Sequence, residues 1–310
     1  MSVTYDVYAQ QLFRLGQGYP LWEPEPKDGV EVEIGDVGYL HRGGFYRIFN
    51  ALRDPQDPLN ATLGTPPDFE KFSSGAMQPH RVENAIASGP VASKTLRKIS
   101  VAGELSVHNI GATCKYECTD DQGALLVLET PAVREELHQI RRLKNYFSKN
   151  INDWHTFAAG EIGLEKKPEE ILFVRGWVKT TRWAVAAFTN QAKSAKISFD
   201  GNFASPATAS FALEASESIA PQHDRRSGPE DRLRGEGHHH AREPAWPADQ
   251  CVFLHYLKLK KRFLLLKTIE AAAEPQDPSV SGDDDDTIEE CVKIQDPVDE
   301  VLDYILRVGT

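Results

Sequence analysis

Cysteine is scarce in this chain, and its scarcity limits the classes of protein to consider. The 310 residues contain four cysteines at uneven spacing, which are Cys114, Cys118, Cys251 and Cys291. So few thiols over this length do not make a disulfide framework, and they favour a reducing compartment. No apolar run approaches the length that crosses a bilayer. The opening residues, MSVTYDVYAQQLF, lack the basic and apolar regions of a secretory signal. These observations predict an intracellular, cytoplasmic protein.

The sequence also lacks the short motifs that mark common active sites. It contains no GxSxG, no Walker A sequence, no HExxH and no GxGxxG. A catalytic triad assembled from distant residues stays open as an alternative. The interpretation that we favour is a protein without catalytic activity, and we predict no catalytic residue and no cofactor.

Acidic residues are concentrated near the C-terminus. The net charge is −11, and the segment from Glu270 to Asp303 holds thirteen acidic residues against one basic residue, Lys293. That segment carries −12, so the remainder sums to about +1. A nearly neutral remainder without a basic patch argues against a nucleic-acid partner. Residues 271–295 are predicted to be an acidic linker, since their aspartates lack the spacing of a calcium-binding loop.

Histidine and cysteine clusters are the candidates for metal binding, and neither has suitable geometry. The triplet His238–His240 lies in a polar segment without preset ligand geometry. Cys114 and Cys118, with His108 upstream, could supply three zinc ligands. In a strand, however, thiols four residues apart stand about 13 Å from each other. We therefore predict no metal site.

Alternation of apolar and polar residues predicts a fold that is rich in β-strands. Val30, Val32 and Ile34 alternate with glutamates, which is typical of a half-buried strand. Residues 114–128 resemble a hairpin with its turn at 120–123. Further strands are predicted after Pro168, and residues 250–260 are apolar on both faces, as in a central strand.

One long amphipathic helix is predicted over residues 131–157. Thr130 precedes Pro131 as the N-cap, and apolar residues then recur every three or four positions as far as Trp154. The predicted fold class is α+β, with a mostly antiparallel twisted sheet and this helix packed on it. A second amphipathic helix is predicted for residues 296–310, where Asp296 and Pro297 begin the apolar pattern.

The segment GQGYPLWEPEP, residues 16–26, combines prolines with Tyr19, Leu21 and Trp22. Each proline fixes φ and removes a backbone donor, so this segment suits neither a helix nor a central strand. We predict that it closes an edge or end of the sheet; a peptide ligand for an aromatic groove is the alternative. Residues 217–249, which are polar before Trp246, are predicted to be a mobile loop of a single domain spanning residues 1–270.

Several segments resemble a family of uncharacterised proteins from mushroom-forming (agaricomycete) fungi. They are GYPLWEPEP, IGDVGYL, FYRIFNAL, GALLVL, RGWVKTTRWAVAAF, QCVFLHYLKL and DPVDEVLDYIL. The resemblance spans nearly the whole chain and implies one contiguous domain with a variable loop. It implies no catalytic residues.

The function that the sequence favours is binding of an unknown protein or small ligand. The candidate contact residues are Trp177, Trp183, Arg175 and Arg182, because aromatic and arginine side chains dominate recognition surfaces. Core packing of both tryptophans is the alternative. A second hypothesis is a pore-forming protein that is activated by cleavage in the loop 217–249, although a membrane partner is not favoured. Its insertion candidates are Ile197, Phe199, Phe211 and Leu213, in a segment that alternates polar and apolar residues.

Overall fold

The computed structural model describes residues 3–73, 75, 77–99, 114–189, 196–200, 210–214, 222–229, 246–260 and 287–290. The helices in this part of the chain are α1 (Thr4–Phe13), α2 (Pro58–Ala61) and α3 (Ile140–Gly160). The strands are β1 (Tyr19–Pro20), β2 (Asp36–His41), β3 (Gly44–Asn50), β4 (His80–Ile86), β5 (Gly89–Ala92), β6 (Leu96–Ile99), β7 (Cys114–Cys118), β8 (Gly123–Leu128), β9 (Ala132–Glu136), β10 (Leu172–Thr180), β11 (Trp183–Thr189), β12 (Lys196–Asp200), β13 (Ser210–Glu214), β14 (Gln222–Gly228), β15 (Gln250–Lys260) and β16 (Thr287–Glu290).

The strands form three sheets whose ladders are antiparallel. The first sheet has the order β1-β15-β10-β2-β3, with β16 paired to β15, β9 paired to β10 and β4 paired to β9. The second sheet has the order β14-β11-β8-β5, and the third has the order β13-β12-β7-β6. A sheet-rich chain with few helices and antiparallel ladders agrees with the predicted α+β class.

The second sheet is buried on both faces. Leu126 and Val185 share one hydrophobic cluster with Tyr8 of α1 and with β10 and β15 of the first sheet. Leu125 and Ala186, on the opposite face, pack with Tyr116 of the third sheet. The alternation of strand side chains therefore places the second sheet as a middle layer.

The helix α3 packs on the first sheet. Leu143, Phe147 and Trp154 are buried in one cluster with Phe173 of β10 and Leu257 of β15. These residues belong to the stripe that predicted the helix. The prediction that the helix begins at residue 131 is wrong, because residues 132–136 are the strand β9 and the helix begins at Ile140. The ladder that β9 forms with β10 and β4 outweighs the local helical pattern.

The segment around Tyr19 covers an edge of the first sheet, as predicted. Tyr19 and Pro20 pair with Leu254 and Phe253 of β15. Two further backbone hydrogen bonds continue along the same edge. The Leu21 amide donates to the Val252 carbonyl, and the Cys251 amide donates to the Pro24 carbonyl. The prolines end the ladder at this edge, since they cannot donate a hydrogen bond to another strand.

Other predictions of local structure are corrected. Residues 31–35 lie outside the named strands, and residues 34–35 form a turn before β2, so the strand predicted there is wrong. Strands β7 and β8 belong to different sheets and do not form the predicted hairpin. Within the predicted mobile loop, residues 222–228 are the strand β14, and within the predicted acidic linker, residues 287–290 are the strand β16. The predicted C-terminal helix at 296–310 lies outside the described residues.

Gly18 is required where the proline-rich segment meets β15. Its φ is +110°, and a Cβ at this position would stand 2.9 Å from His255 Nε2 and 3.0 Å from the Leu254 carbonyl oxygen. Gly16 also has positive φ, but a Cβ there would meet no atom within 4 Å. Glycine is favoured at both positions, and Gly18 is additionally enclosed by the neighbouring strand.

The substitution Gly18→Ala is therefore expected to lower the free energy of unfolding by about 2–3 kcal/mol. Gly16→Ala is the matched control and is expected to cost about 1 kcal/mol, because it adds backbone strain without overlap. Urea unfolding that is followed by circular dichroism measures both. Equal losses in the two variants would contradict the close approach of Gly18 to β15.

Candidate functional site

A bulge in β10 determines the face of the first sheet on which Trp177 lies, where it is buried with 8% of its surface exposed. The pairing between β10 and β15 shifts between Val174 and Gly176, so Arg175 is the extra residue. Trp177 is then opposite Leu254 and joins the face that also carries Val174. Without the bulge, Trp177 would face the α3 side, because strand side chains alternate.

Arg175 lies beside the bulge in a buried charged cluster. Glu136 Oε2 accepts a hydrogen bond from Arg175 Nη1 at 2.8 Å and lies 3.4 Å from His255 Nδ1. The hydrogen bond from His255 is the largest of the effects that hold the pKa of Glu136 at about 2; the charges of His255 and Arg175 act in the same direction. The other imidazole nitrogen, Nε2, is 3.0 Å from the Gln17 carbonyl oxygen. All three side chains are buried, so this cluster connects β9, β10 and β15.

Gly176 explains how the cluster fits together. A Cβ on Gly176 would stand 2.5 Å from the Cβ of Glu136 and 2.7 Å from the carbonyl oxygen of Glu135. The absence of a side chain therefore lets β9 approach β10 closely enough for Glu136 to reach Arg175.

Trp177 and Lys179 form the base of an open groove, which we call the Trp177 groove. Its volume is about 500 Å³, which lies within the range of small-molecule sites. The apolar part of its wall comes from Ile34, Leu52, Met77 and Leu137 together with Trp177. The charged part comes from Glu31, Glu33, Arg53, Arg81, Glu135 and Lys179.

Three ion pairs surround the groove. Lys179 Nζ is 2.7 Å from Glu31 Oε2. The other two pairs join Arg53 to Glu33 at 2.7 Å and Arg81 to Glu135 at 3.2 Å. Three acidic and three basic side chains leave the lining electrically balanced.

Lys179 differs from the other two cations because it is buried. Its side chain is 3% exposed, whereas those of Arg53 and Arg81 are 48% and 52% exposed. The ammonium group lies 4.1 Å from the centroid of the Trp177 ring, which is a close cation–π contact. Its carboxylate partner, Glu31, is 47% exposed. A buried cation thus depends on a carboxylate that water can reach.

The remaining candidate contact residues, Trp183 and Arg182, are buried outside the groove. Trp183 is fully buried in the cluster between α1 and the second sheet, and its Nε1 donates a hydrogen bond to Gln250 Oε1 at 3.1 Å. Arg182 is also buried; its Nε is 3.3 Å from Glu129 Oε2, and its guanidinium lies 5.5 Å from the Trp246 ring. Of the four residues, Trp177 lines the groove and the other three do not.

The insertion candidates lie in the hairpin of β12 and β13. Ile197 is opposite Leu213 and Phe199 is opposite Phe211. Ile197 is also opposite Tyr116 of β7, which is buried against the second sheet. The register therefore brings the four positions together as two directly opposite pairs within the third sheet.

Two cysteines of the described residues, Cys118 and Cys251, are buried. Burial raises the pKa of the Cys118 thiol to about 11 and that of the Cys251 thiol to about 12. Both thiols therefore stay protonated near neutral pH, which argues against a nucleophilic role. Within the described ranges, no group of three or more His, Cys, Asp or Glu side chains could hold a metal ion. The triplet at 238–240 lies outside those ranges.

No helix in the described part of the chain combines the length and the apolar character that crossing a membrane requires.

Comparison with known proteins adds no assignment to this site. No family model matches the chain, and no curated protein matches it. The resemblance to fungal proteins stays a prediction that rests on the quoted segments.

Sequence reasoning missed the two residues that give the groove its chemistry. Glu31 and Lys179 are 148 positions apart, so no local motif joins them. The alternation in VEVEI, residues 30–34, indicates a segment whose charged and apolar side chains lie in different environments. The same alternation also fits a half-buried strand, so it does not identify the site. The position of Lys179, two residues after Trp177, was a second signal because alternate residues of a strand share a face.

Proposed function

We propose that this chain is a soluble intracellular protein that binds a small amphipathic carboxylate in the Trp177 groove. The buried ammonium group of Lys179, held between the Trp177 ring and an exposed carboxylate, carries this proposal. A ligand carboxylate can take the place of Glu31 at this ammonium, and Glu31 then moves into water. The exchange keeps Lys179 paired, so it avoids the cost of an unpaired buried charge.

The walls of the groove support an apolar body for the ligand. Leu137 and Met77 are buried residues of the lining, and Ile34 and Leu52 extend the apolar surface. Methionine adapts its shape to different partners, which suits a site that accepts planar or branched groups. The volume of the groove and the combination of an apolar wall with charged groups agree with a small-molecule site.

Titration calorimetry with 2-naphthoate tests this proposal, because the probe combines a planar apolar body with one carboxylate. Wild-type protein is expected to bind 2-naphthoate at least about tenfold more tightly than the uncharged analogue 2-naphthalenemethanol. The variant Lys179→Met keeps the length of the side chain and removes its charge, so this preference is expected to disappear.

Lys149→Met is the matched control for this experiment. The side chain of Lys149 is 71% exposed and pairs with Glu70 on the surface, away from the groove. Its replacement is expected to leave both affinities unchanged. Equal affinity of the wild-type protein for the two probes, or a preference that survives Lys179→Met, would contradict the proposal.

A further inference from the structure

A second cavity lies on the other side of the segment that carries Glu31. Its volume is about 480 Å³, and we call it the Tyr39 cleft. Val30, Val32, Tyr39, Tyr46, Leu63 and Leu164 contribute to its lining. The two tyrosine rings stack on each other with centroids 5.7 Å apart and planes 18° apart. The remaining lining combines apolar residues such as Ile48, Leu59 and Ile162 with polar ones, which are Lys27, Asp28, Asp36, Arg47 and Thr62. The cleft therefore offers an apolar surface with an aromatic side and a polar part.

The extended segment 30–33 forms a wall between the two cavities. Val30 and Val32 line the Tyr39 cleft, whereas Glu31 and Glu33 line the Trp177 groove. Arg47 holds this wall, because it binds both oxygens of the buried Asp36 and also donates to the Glu31 carbonyl oxygen. The alternating sequence therefore supplies charged side chains to one cavity and apolar side chains to the other.

Exposed apolar side chains are concentrated at this cleft. Among the described residues, the large hydrophobic side chains that are exposed are Val3 at 45%, Val30 at 37% and Leu63 at 43%. Two of these three line the Tyr39 cleft. Exposed apolar surface that gathers at a concave site indicates a binding function more strongly than scattered apolar residues do.

The lysine and arginine side chains at the cleft are paired within the protein, and Asp28 adds an exposed carboxylate to the lining. Arg47 is paired with Asp36, and Lys27 is paired with Glu23. Lys166, whose ammonium lies 5.6 Å from the Tyr39 ring centroid, is paired with Glu170 at 2.9 Å. An anionic ligand would have to break one of these pairs, whereas an uncharged apolar ligand would leave them intact.

We propose that the Tyr39 cleft binds an uncharged, elongated apolar molecule with the chemistry of a lipid hydrocarbon chain. The chain lies along Val30, Val32 and Leu63 and ends against the stacked tyrosine rings. This site is independent of the carboxylate site at Lys179, since different faces of the same wall line the two cavities.

The fluorescence of N-phenyl-1-naphthylamine, an uncharged apolar probe, tests this site. Wild-type protein is expected to enhance the probe fluorescence saturably, and 1-dodecanol is expected to displace the probe. Leu63→Ser is expected to weaken probe binding about fivefold, because it removes apolar contact at the mouth of the cleft. Val3→Ser is the matched control, since it removes an equally exposed apolar side chain elsewhere, and it is expected to have no effect.

Two further measurements separate this site from the Trp177 groove. Lys179→Met is expected to leave probe binding unchanged, and 2-naphthoate is expected not to compete with the probe. The proposal is overturned if wild-type protein does not enhance the fluorescence, if 1-dodecanol fails to displace the probe, or if Leu63→Ser and Val3→Ser bind it equally. Circular dichroism of each variant confirms that it is folded, which the exposure of both positions leads us to expect.

Discussion

Replacing Glu136 with glutamine is expected to lower the free energy of unfolding by about 3–5 kcal/mol. The substitution removes the carboxylate that pairs with Arg175 and His255, whose side chains are only 8% and 10% exposed. The guanidinium then stays buried without this counter-ion, and the desolvation cost is no longer offset. Urea unfolding at pH 7 measures the loss. Glu70→Gln is the control, because the pair of Glu70 and Lys149 is exposed and is expected to contribute less than about 1 kcal/mol.

The pH dependence of stability tests the same cluster independently. The pKa of Glu136 is held at about 2, below its ordinary value of 4.5. The carboxylate therefore stabilises the fold above about pH 4.5, and this contribution is lost as the pH falls towards 2. Wild-type protein is expected to lose more stability across this interval than Glu136→Gln, which has no carboxylate to protonate. Parallel acid unfolding curves for the two proteins would contradict the assignment.

Truncation of Trp154 to alanine is the second large expected effect, at about 3–5 kcal/mol. The Trp154 ring is buried where α3 meets the first sheet, with ring centroids 5.5 Å from Phe49 and 5.8 Å from both Phe147 and Phe173. Removal of the indole leaves a cavity that this aromatic cluster cannot fill.

The control for this prediction is Trp154→Phe, which keeps an aromatic ring and is expected to cost less than half as much. Thermal unfolding and urea unfolding, compared for the two variants and the wild type, measure the difference. A loss below about 1 kcal/mol in Trp154→Ala would mean that α3 does not pack on the first sheet as described.

Patterns that extend over many residues were predictable from the sequence. The stripe from Leu143 to Trp154 repeats at helical spacing, and it lies on the buried face of α3. Strand β15 is apolar on both faces, and it is central between β10 and the proline-rich edge. In both elements the local pattern and the packing require the same structure, so local reasoning succeeds.

Residues 131–139 were not predictable in this way. Val133 and Leu137 fit a helical period, but they also fit a strand followed by a turn. The outcome depends on the contact of Glu136 with Gly176 and Arg175, which lie about 40 positions later in the chain. A stretch of sequence that contains only the strand carries no information about its tertiary partners.

The candidate site shows the same limit. Trp177 and Trp183 have similar neighbours in the sequence, RGWVK and TRWAV, yet one borders a groove and the other is enclosed in the core. A single extra residue at Arg175 changes the face on which Trp177 lies. A bulge leaves little trace in the sequence pattern. Residue type could therefore identify Trp177 and Trp183 as candidates, but it could not show which of the two lines the groove.

Glu31 is proposed to act as an internal carboxylate that a ligand replaces at Lys179, and the variant Glu31→Gln tests this exchange. Glutamine keeps the shape of the side chain but competes less strongly for the ammonium, so the affinity for 2-naphthoate is expected to rise about fivefold. The free energy of unfolding of the unliganded variant is expected to fall, because Lys179 loses its charged partner. Calorimetric titration of wild type and Glu31→Gln is therefore the deciding measurement. Tighter binding by a less stable protein would support the exchange, whereas weaker or unchanged binding would contradict it.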